Sequence, residues 1–314
     1  MKQFIYYLTT KQNCQMKKKF FVPLCLLVAM ASCNKSVLEE TIVVPGANEI
    51  ATNASISYGG ETVFTPDQYT WSVIWGDQFT DANLTGWTKA NETHYPGTAT
   101  DPAIDIWFKD PNMVSVNTST GILSLASKKV YNSTQNRYEL RCGTIVGTKD
   151  FTNYGFYTAK MYIQSPYSLS SQSSFWLNYR NDGTDATGGN DGAEIDVFES
   201  SWTNENMQST VHIDWYNGQH ASHGIGNQWQ APGATTGYHQ YGVWWQSASL
   251  SIWFDGVKKA SLTATYYIPK AGAKEFIKLG TAAAWGNANT NFGSQPNGTT
   301  RYTYVDWVRY MTHN

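Results

Sequence analysis

The 314-residue sequence predicts an all-β protein, a two-sheet sandwich or jelly roll with one concave face. Three observations predict it. Charged residues make up 15% of the chain and aromatics another 15%, with 13 Trp and 20 Tyr, while helix formers are thin against Gly, Thr, Ser and Asn. That balance favours strands and turns. From about Gln68 onward, strand-like runs are broken by turn clusters such as Asp110-Pro111-Asn112, Asn117-Thr118-Ser119-Thr120-Gly121 and Asp182-Gly183-Thr184-Asp185. Nothing repeats at a period of about 20–50 residues, which excludes a solenoid or propeller and leaves the sandwich.

Residues 1–33 stand outside that fold. Lys17-Lys18-Lys19 precede an apolar run from Phe20 to Met30, then Ala31-Ser32-Cys33. This is the charged, apolar and small-residue order of a signal peptide. Ending at Cys, it resembles a bacterial lipoprotein signal, which implies lipidation of Cys33 and a place at the cell envelope, periplasmic or outward-facing. The other reading is a membrane-spanning anchor, for which the run is short. Met16 is an alternative start. Subtracting the five Lys of residues 1–32 from the 22 basic residues leaves 17 against 24 acidic ones, a net charge of −7. A chain so acidic is not a nucleic-acid binder. Cys14 and Cys25 fall in the leader and Cys33 at its end, so Cys142 remains alone, a small buried residue with no disulfide partner. Residues 34–66 are polar and small, a tether with one short strand expected at Ser55-Ile56-Ser57-Tyr58. Residues 67–314 form the remaining domain.

The runs then follow in order: Ser72–Phe79, Thr120–Ser127, Gly143–Ile145, Tyr154–Lys160 and Ser174–Leu177. The segment Asn178 to Asn190 reads as a loop. Its Arg180 could meet a sulfate or a sugar hydroxyl, or the loop could be plain surface. Asp191–Ser200 comes next and is the centre of the reading. It holds Glu194, Asp196 and Glu199, separated by apolar Ile195, Val197 and Phe198. β-Branched and aromatic spacers favour a strand, in which Glu194 and Asp196 share a face and Glu199 points away. One extra residue in a bulge at Val197-Phe198 returns Glu199 to that face.

Three carboxylates on one apolar strand raise at least one pKa, so one acid keeps its proton near neutral pH. A general acid beside an ionised nucleophile needs that. The outer pair would be about 13 Å apart at Cα, from about 3.3 Å per strand step, and inward-leaning side chains close most of the gap. A carboxyl separation of about 5 Å suits a retaining glycosidase. The same pattern also fits a solvated strand face or a metal site.

Beyond the acids, Gln208–Tyr216 alternates as a neighbouring strand that places His212 and Asp214 on one face. His220 and His223 follow, but three His with Asp214 show no familiar ligand spacing. Gln240–Trp245 and Ser251–Val257 read as scaffold, with Asp255-Gly256 as a hairpin turn. Trp285 is a platform for a sugar ring or a core residue. Tyr304–Tyr310 closes the chain.

Six of these blocks carry a resemblance. Glu194-Ile195-Asp196-Val197-Phe198-Glu199 resembles the bulged E-x-D-x-x-E signature of family 16 of the glycoside hydrolases. That is the branch of laminarinases, agarases, porphyranases and carrageenases. Ser72–Phe79 resembles the family's opening W-x-D-E-F strand, and Thr120–Ser127 its G-x-L-x-L-x-A strand. Gly143–Lys160 resembles its G-x-I and YGxFExR segment, Ser174–Leu177 its AFWL strand, and Tyr304–Tyr310 its Y-V-D-W-V-R-V strand. The blocks keep the family's order over about residues 70–312. The resemblance implies a concanavalin-like β-jelly roll with a substrate cleft and a retaining, cofactor-free hydrolase. Within it Glu194 is the nucleophile, Asp196 the residue that tunes it, and Glu199 the acid/base. Trp176 and His212 would line the cleft, and the partner would be a polysaccharide cleaved at internal bonds by a monomer. A structural calcium is common in the family. Asp306 matches one of its ligands, but Gln78 stands where a Glu is common, so no metal is expected. The usual Trp-Pro pair of laminarinases is missing, which leans away from them. No basic cluster surrounds the acids, which leans away from heavily sulfated galactans. β-1,3- or mixed-linkage glucan comes narrowly first, red-algal galactan second. A non-catalytic carbohydrate-binding lipoprotein is the alternative from another class, but it would not need the full acid set.

Overall fold

The computed structural model describes residues 54–94, 106–164, 172–179, 193–200, 205–213, 220–272, 275–282 and 295–314. All lie in the compact unit Pro45–Asn314. Cys33, Arg180, Asp214 and Trp285 lie outside the described residues.

The opening strands are β1 (Ser55–Tyr58), β2 (Glu61–Phe64), β3 (Trp71–Asp77), β4 (Trp87–Lys89), β5 (Glu92–His94), β6 (Ile106–Lys109) and β7 (Val114–Asn117). The middle of the chain gives β8 (Ile122–Asn132), β9 (Arg137–Cys142), β10 (Thr144–Gly147), β11 (Gly155–Ile163), β12 (Gln172–Tyr179), β13 (Glu194–Glu199) and β14 (Asn206–Ile213). The last third gives β15 (Ala221–Gly224), β16 (Trp229–Gln230), β17 (His239–Trp245), β18 (Leu250–Phe254), β19 (Val257–Leu262), β20 (Glu275–Ala282) and β21 (Thr300–His313).

They form two large sheets. One runs β15-β14-β13-β12-β20-β10-β4, with β16 beside β14; the other runs β19-β18-β17-β11-β21-β8-β9-β6-β5, with β3 on β21 and β7 on β8. Side chains alternate across each sheet. Phe175, Leu177, Ile195, Val211, Ile277 and Leu279 of the first sheet therefore meet Leu125, Tyr157, Met161, Val243, Trp245 and Val305 of the second in one buried core. This is a jelly-roll sandwich. The turn between β18 and β19 is the expected Asp255-Gly256 hairpin. Both residues have positive φ, 48° and 77°, as a twist-matched two-residue turn requires. Cys142 is buried, forms no disulfide among the described residues, and its Sγ accepts from Ser127 Oγ at 3.6 Å.

The tether expectation for residues 34–66 is corrected over its last third. β1 and β2 form an antiparallel hairpin, and the folded region starts near Ala54 rather than at residue 67. Val63 is 0% exposed and joins a second core with Trp71, Phe156, Trp253, Trp307 and Met311. Gln240 clamps the hairpin: its Oε1 accepts from Phe64 N at 2.8 Å and its Nε2 donates to Phe64 O at 2.7 Å. The physical reason is the outer face of the second sheet. Its Trp side chains would lie in water without a cover, and the alternation of Val63 with polar neighbours supplies one.

Candidate active site

The acids stand on β13, between β12 and β14, with their side chains on the face opposite the core. In an antiparallel pair, directly opposed residues share a face. Glu194 lies opposite Asn178 and His212, Asp196 opposite Trp176 and Thr210, and Glu199 opposite Ser174 and Gln208. The register breaks between Asp196 and Glu199 on both sides. From Asn178 to Ser174 the partner strand advances four positions while β13 advances five, so the bulge expected at Val197-Phe198 is present. Ile195, Val197 and Phe198 are all fully buried.

A bulge leaves ladder groups unpaired, and here a side chain takes one up. Ser209 Oγ donates to Val197 O at 2.7 Å and accepts from Trp229 Nε1 at 2.9 Å. Pairing with β12 resumes at Phe198, opposite Phe175, and the chain stays bonded through Ser200, whose N donates to Ser173 O at 3.0 Å. The Ser209 pin on Val197 sits two residues before Glu199.

Burial separates the three acids. Asp196 is 5% exposed, and its carboxyl is held well above the usual range, first by burial and then by the charge of Glu194, with Lys278 opposing. Burial, reinforced by Asp196 and Glu194, pushes Glu199 up to about 8, against the hydrogen bond from Gln172 and the charge of His212. Gln172 Nε2 donates to Glu199 Oε1. Asn178 Nδ2 donates to Glu194 Oε2, and Lys278 Nζ donates to Asn178 Oδ1 at 2.8 Å. At neutral pH Glu199 therefore holds a proton that it can deliver, beside a carboxylate anchored by one oxygen.

His212 stands where the sequence placed it. Its Nε2 lies 3.2 Å from Asp196 Oδ2, and its Nδ1 is 2.9 Å from His220 Nε2. The two rings stack at 5.2 Å. His223 does not join them: its ring packs on Tyr267 at 4.7 Å. One ligand atom each of Glu194, Asp196 and His212 lies within 4.8 Å of the others. Asp306, matched to a calcium ligand by resemblance, is ion-paired with Lys160 at 2.8 Å.

Trp176 shares the acid-bearing face through its pairing with Asp196, and it is only partly buried. Gln172, Asn178 and Lys278 were missed by sequence reasoning. Gln172 and Asn178 belong to Trp176's face by period-two spacing, a signal that was available; β12 extends to Tyr179 rather than giving way to a loop at Asn178. Lys278 joins them through the pairing of β20 with β12, which no local pattern reveals.

The family model for glycosyl hydrolases family 16 matches residues 100–309. The chain belongs to this family. It is a glycoside hydrolase of the retaining, double-displacement type. A comparison with curated proteins gave no match. Among solved structures, the Bacteroides ovatus mixed-linkage glucan family 16 protein, bound to its G4G4G3G product, is 21% identical with a TM-score of 0.53, covering 76% of this chain and 100% of its own. The κ-carrageenase of Pseudoalteromonas carrageenovora, bound to a κ-carrageenan oligotetrasaccharide, is 17% identical with a TM-score of 0.56, covering 78% and 96%. The endo-β-1,3-glucanase of Pyrococcus furiosus is 17% identical with a TM-score of 0.56, covering 83% and 98%. These three share the fold with this family 16 chain.

Proposed function

We propose that the chain is an endo-acting hydrolase in which Glu194 is the nucleophile and Glu199 the acid/base, cutting a β-1,3- or mixed-linkage glucan. Glu194 Oε1 attacks the anomeric carbon while the glycosidic C–O bond breaks and Glu199 gives its proton to the leaving oxygen. Water then gives a proton to Glu199 and displaces Glu194 from the same carbon, restoring both acids. Asp196 lies between them, and burial and the charge of Glu194 hold its carboxyl well above the usual range, which favours its neutral form beside the nucleophile. The observation that carries this reading is the bulge, which puts a protonated Glu199 on the same face as Glu194.

A red-algal galactan is the second reading, supported by the κ-carrageenase among the similar structures. Two of the similar structures just described concern glucans, which keeps glucan first. The test is reducing-end release by the purified chain on laminarin, mixed-linkage glucan, agarose, porphyran and κ-carrageenan. Glu194→Gln and Glu199→Gln should each lower kcat by at least ~10³-fold, the scale of losing a covalent nucleophile or its acid. Near-normal turnover by either variant would overturn the assignment. Binding without cleavage by the wild-type chain would favour a carbohydrate-binding role.

A further inference from the structure

Lys278 stands on the acid-bearing face, and its hydrogen bond leads through Asn178 to Glu194. It lies directly opposite Trp176 on β20. Burial lowers its pKa, while Glu194, Glu92 and Asp196 pull it up and Lys109 pushes it down. A partly buried ammonium is costly unless it is hydrogen-bonded and its charge is balanced. No carboxylate forms an ion pair with it among the described residues; its hydrogen bond goes to an amide, Asn178 Oδ1 at 2.8 Å. An ammonium only donates. It therefore claims the oxygen end of the Asn178 amide and turns the NH2 end to Glu194 Oε2. Without Lys278 the amide could flip and present its oxygen to the carboxylate.

We infer that Lys278 and Asn178 act as one positioning unit for the reaction: through Asn178, Lys278 fixes the Glu194 carboxyl group by Oε2 and leaves Oε1 to attack. This rests on Glu194 being the nucleophile. The charge balance supports it over an anion-binding subsite for sulfate or carboxylate substituents. Lys109, the next cation along, is paired with Glu92 at 2.6 Å. Lys278 is offset by Glu194, so no positive surplus remains among the described residues of this face. Among the described residues, the other titratable groups facing Glu194 are Asp196, Glu199, His212 and His220.

The test is a double-mutant cycle with Lys278→Met and Asn178→Leu, assayed on whichever polymer of the panel the wild-type chain cleaves. Each single variant should lower kcat about 10²-fold, the scale of a misplaced nucleophile, with KM changed less than about threefold. Lys278→Arg should keep more activity than Lys278→Met, because it restores the donor and the charge. Because one residue acts through the other, the double variant should be no worse than the poorer single one. Additive losses would overturn the unit. A loss confined to KM, seen only on sulfated polymers, would make Lys278 an anion-binding residue instead. If Lys278→Met does not fold by its melting curve, Asn178→Leu against Asn178→Leu/Lys278→Arg carries the same comparison. An inactive wild-type chain would remove the nucleophile assignment and this inference together, whereas additivity in an active enzyme removes only the inference.

Discussion

Glu199 shows how one residue links function to stability. Burial is the first cause of its rise to about 8, so it is protonated through the neutral range and can act as an acid. Activity should therefore fall on the alkaline side with a midpoint near 8, read from kcat/KM against pH. The sign for stability follows from the same shift. Its folded pKa lies above the ordinary glutamate value of 4.5, so between those values the folded chain binds more protons than the unfolded one. Stability then falls as pH rises through that window. Glu199→Gln removes the cost. We expect its melting temperature to exceed that of wild type by several degrees at pH 9 and by little at pH 4, on a scale of about 2–4 °C per kcal/mol for a domain of this size. An equal difference at both pH values would show that Glu199 is not buried as a neutral acid. The three acids were legible because their spacing, two then three, cannot share a strand face without an added residue. Their separate protonation was not, because it depends on depth below the surface.

At the scale of the element, β13 works as a strand with one deliberate fault. Its bulge is held by Ser209, from the neighbouring strand, and by Trp229 beyond it. Removing the hydroxyl leaves a buried carbonyl and a buried indole N–H without their partner. Such a loss costs about 1–3 kcal/mol. Ser209→Ala should lower the melting temperature accordingly and reduce kcat more than KM, since Glu199 follows directly on the pinned segment. An unchanged kcat with the expected loss of stability would mean that the bulge holds Glu199 without the pin. The bulge could be inferred from the acids, but its support could not. Ser209 reads as an ordinary small polar residue in an alternating strand, and only the fold sets it against Val197 O. Lys278 is the same kind of case, a polar residue in a strand until pairing brings it beside Asn178, 100 positions away.

For the whole molecule, the N-terminal hairpin is part of the folded domain. It covers the Trp-rich outer face of the second sheet, where Arg309, 1% exposed, lies between the rings of Trp307 at 4.0 Å and Tyr58 at 4.9 Å. A chain beginning at residue 67 should melt well below one beginning at residue 45, and Val63→Ala alone should cost on the order of 2 kcal/mol by emptying a buried site. Thermal melting of the three proteins checks both; equal melting temperatures would return residues 54–66 to the role of a tether. The sequence reading expected the strand at Ser55–Tyr58 but not its partner β2 or their docking, because short strands between polar stretches look like linker and their worth lies in a partner surface built by residues far along the chain. The sequence by itself determined the all-β class, the order of the main strands, the face shared by the three acids and the family. These follow from local alternation and from spacing, which the chain carries wherever it folds. Tertiary structure alone decided which acid stays protonated, what pins the bulge, and which distant side chains reach Glu194. Those depend on burial and on strand pairing, and neither exists until the two sheets close on one another.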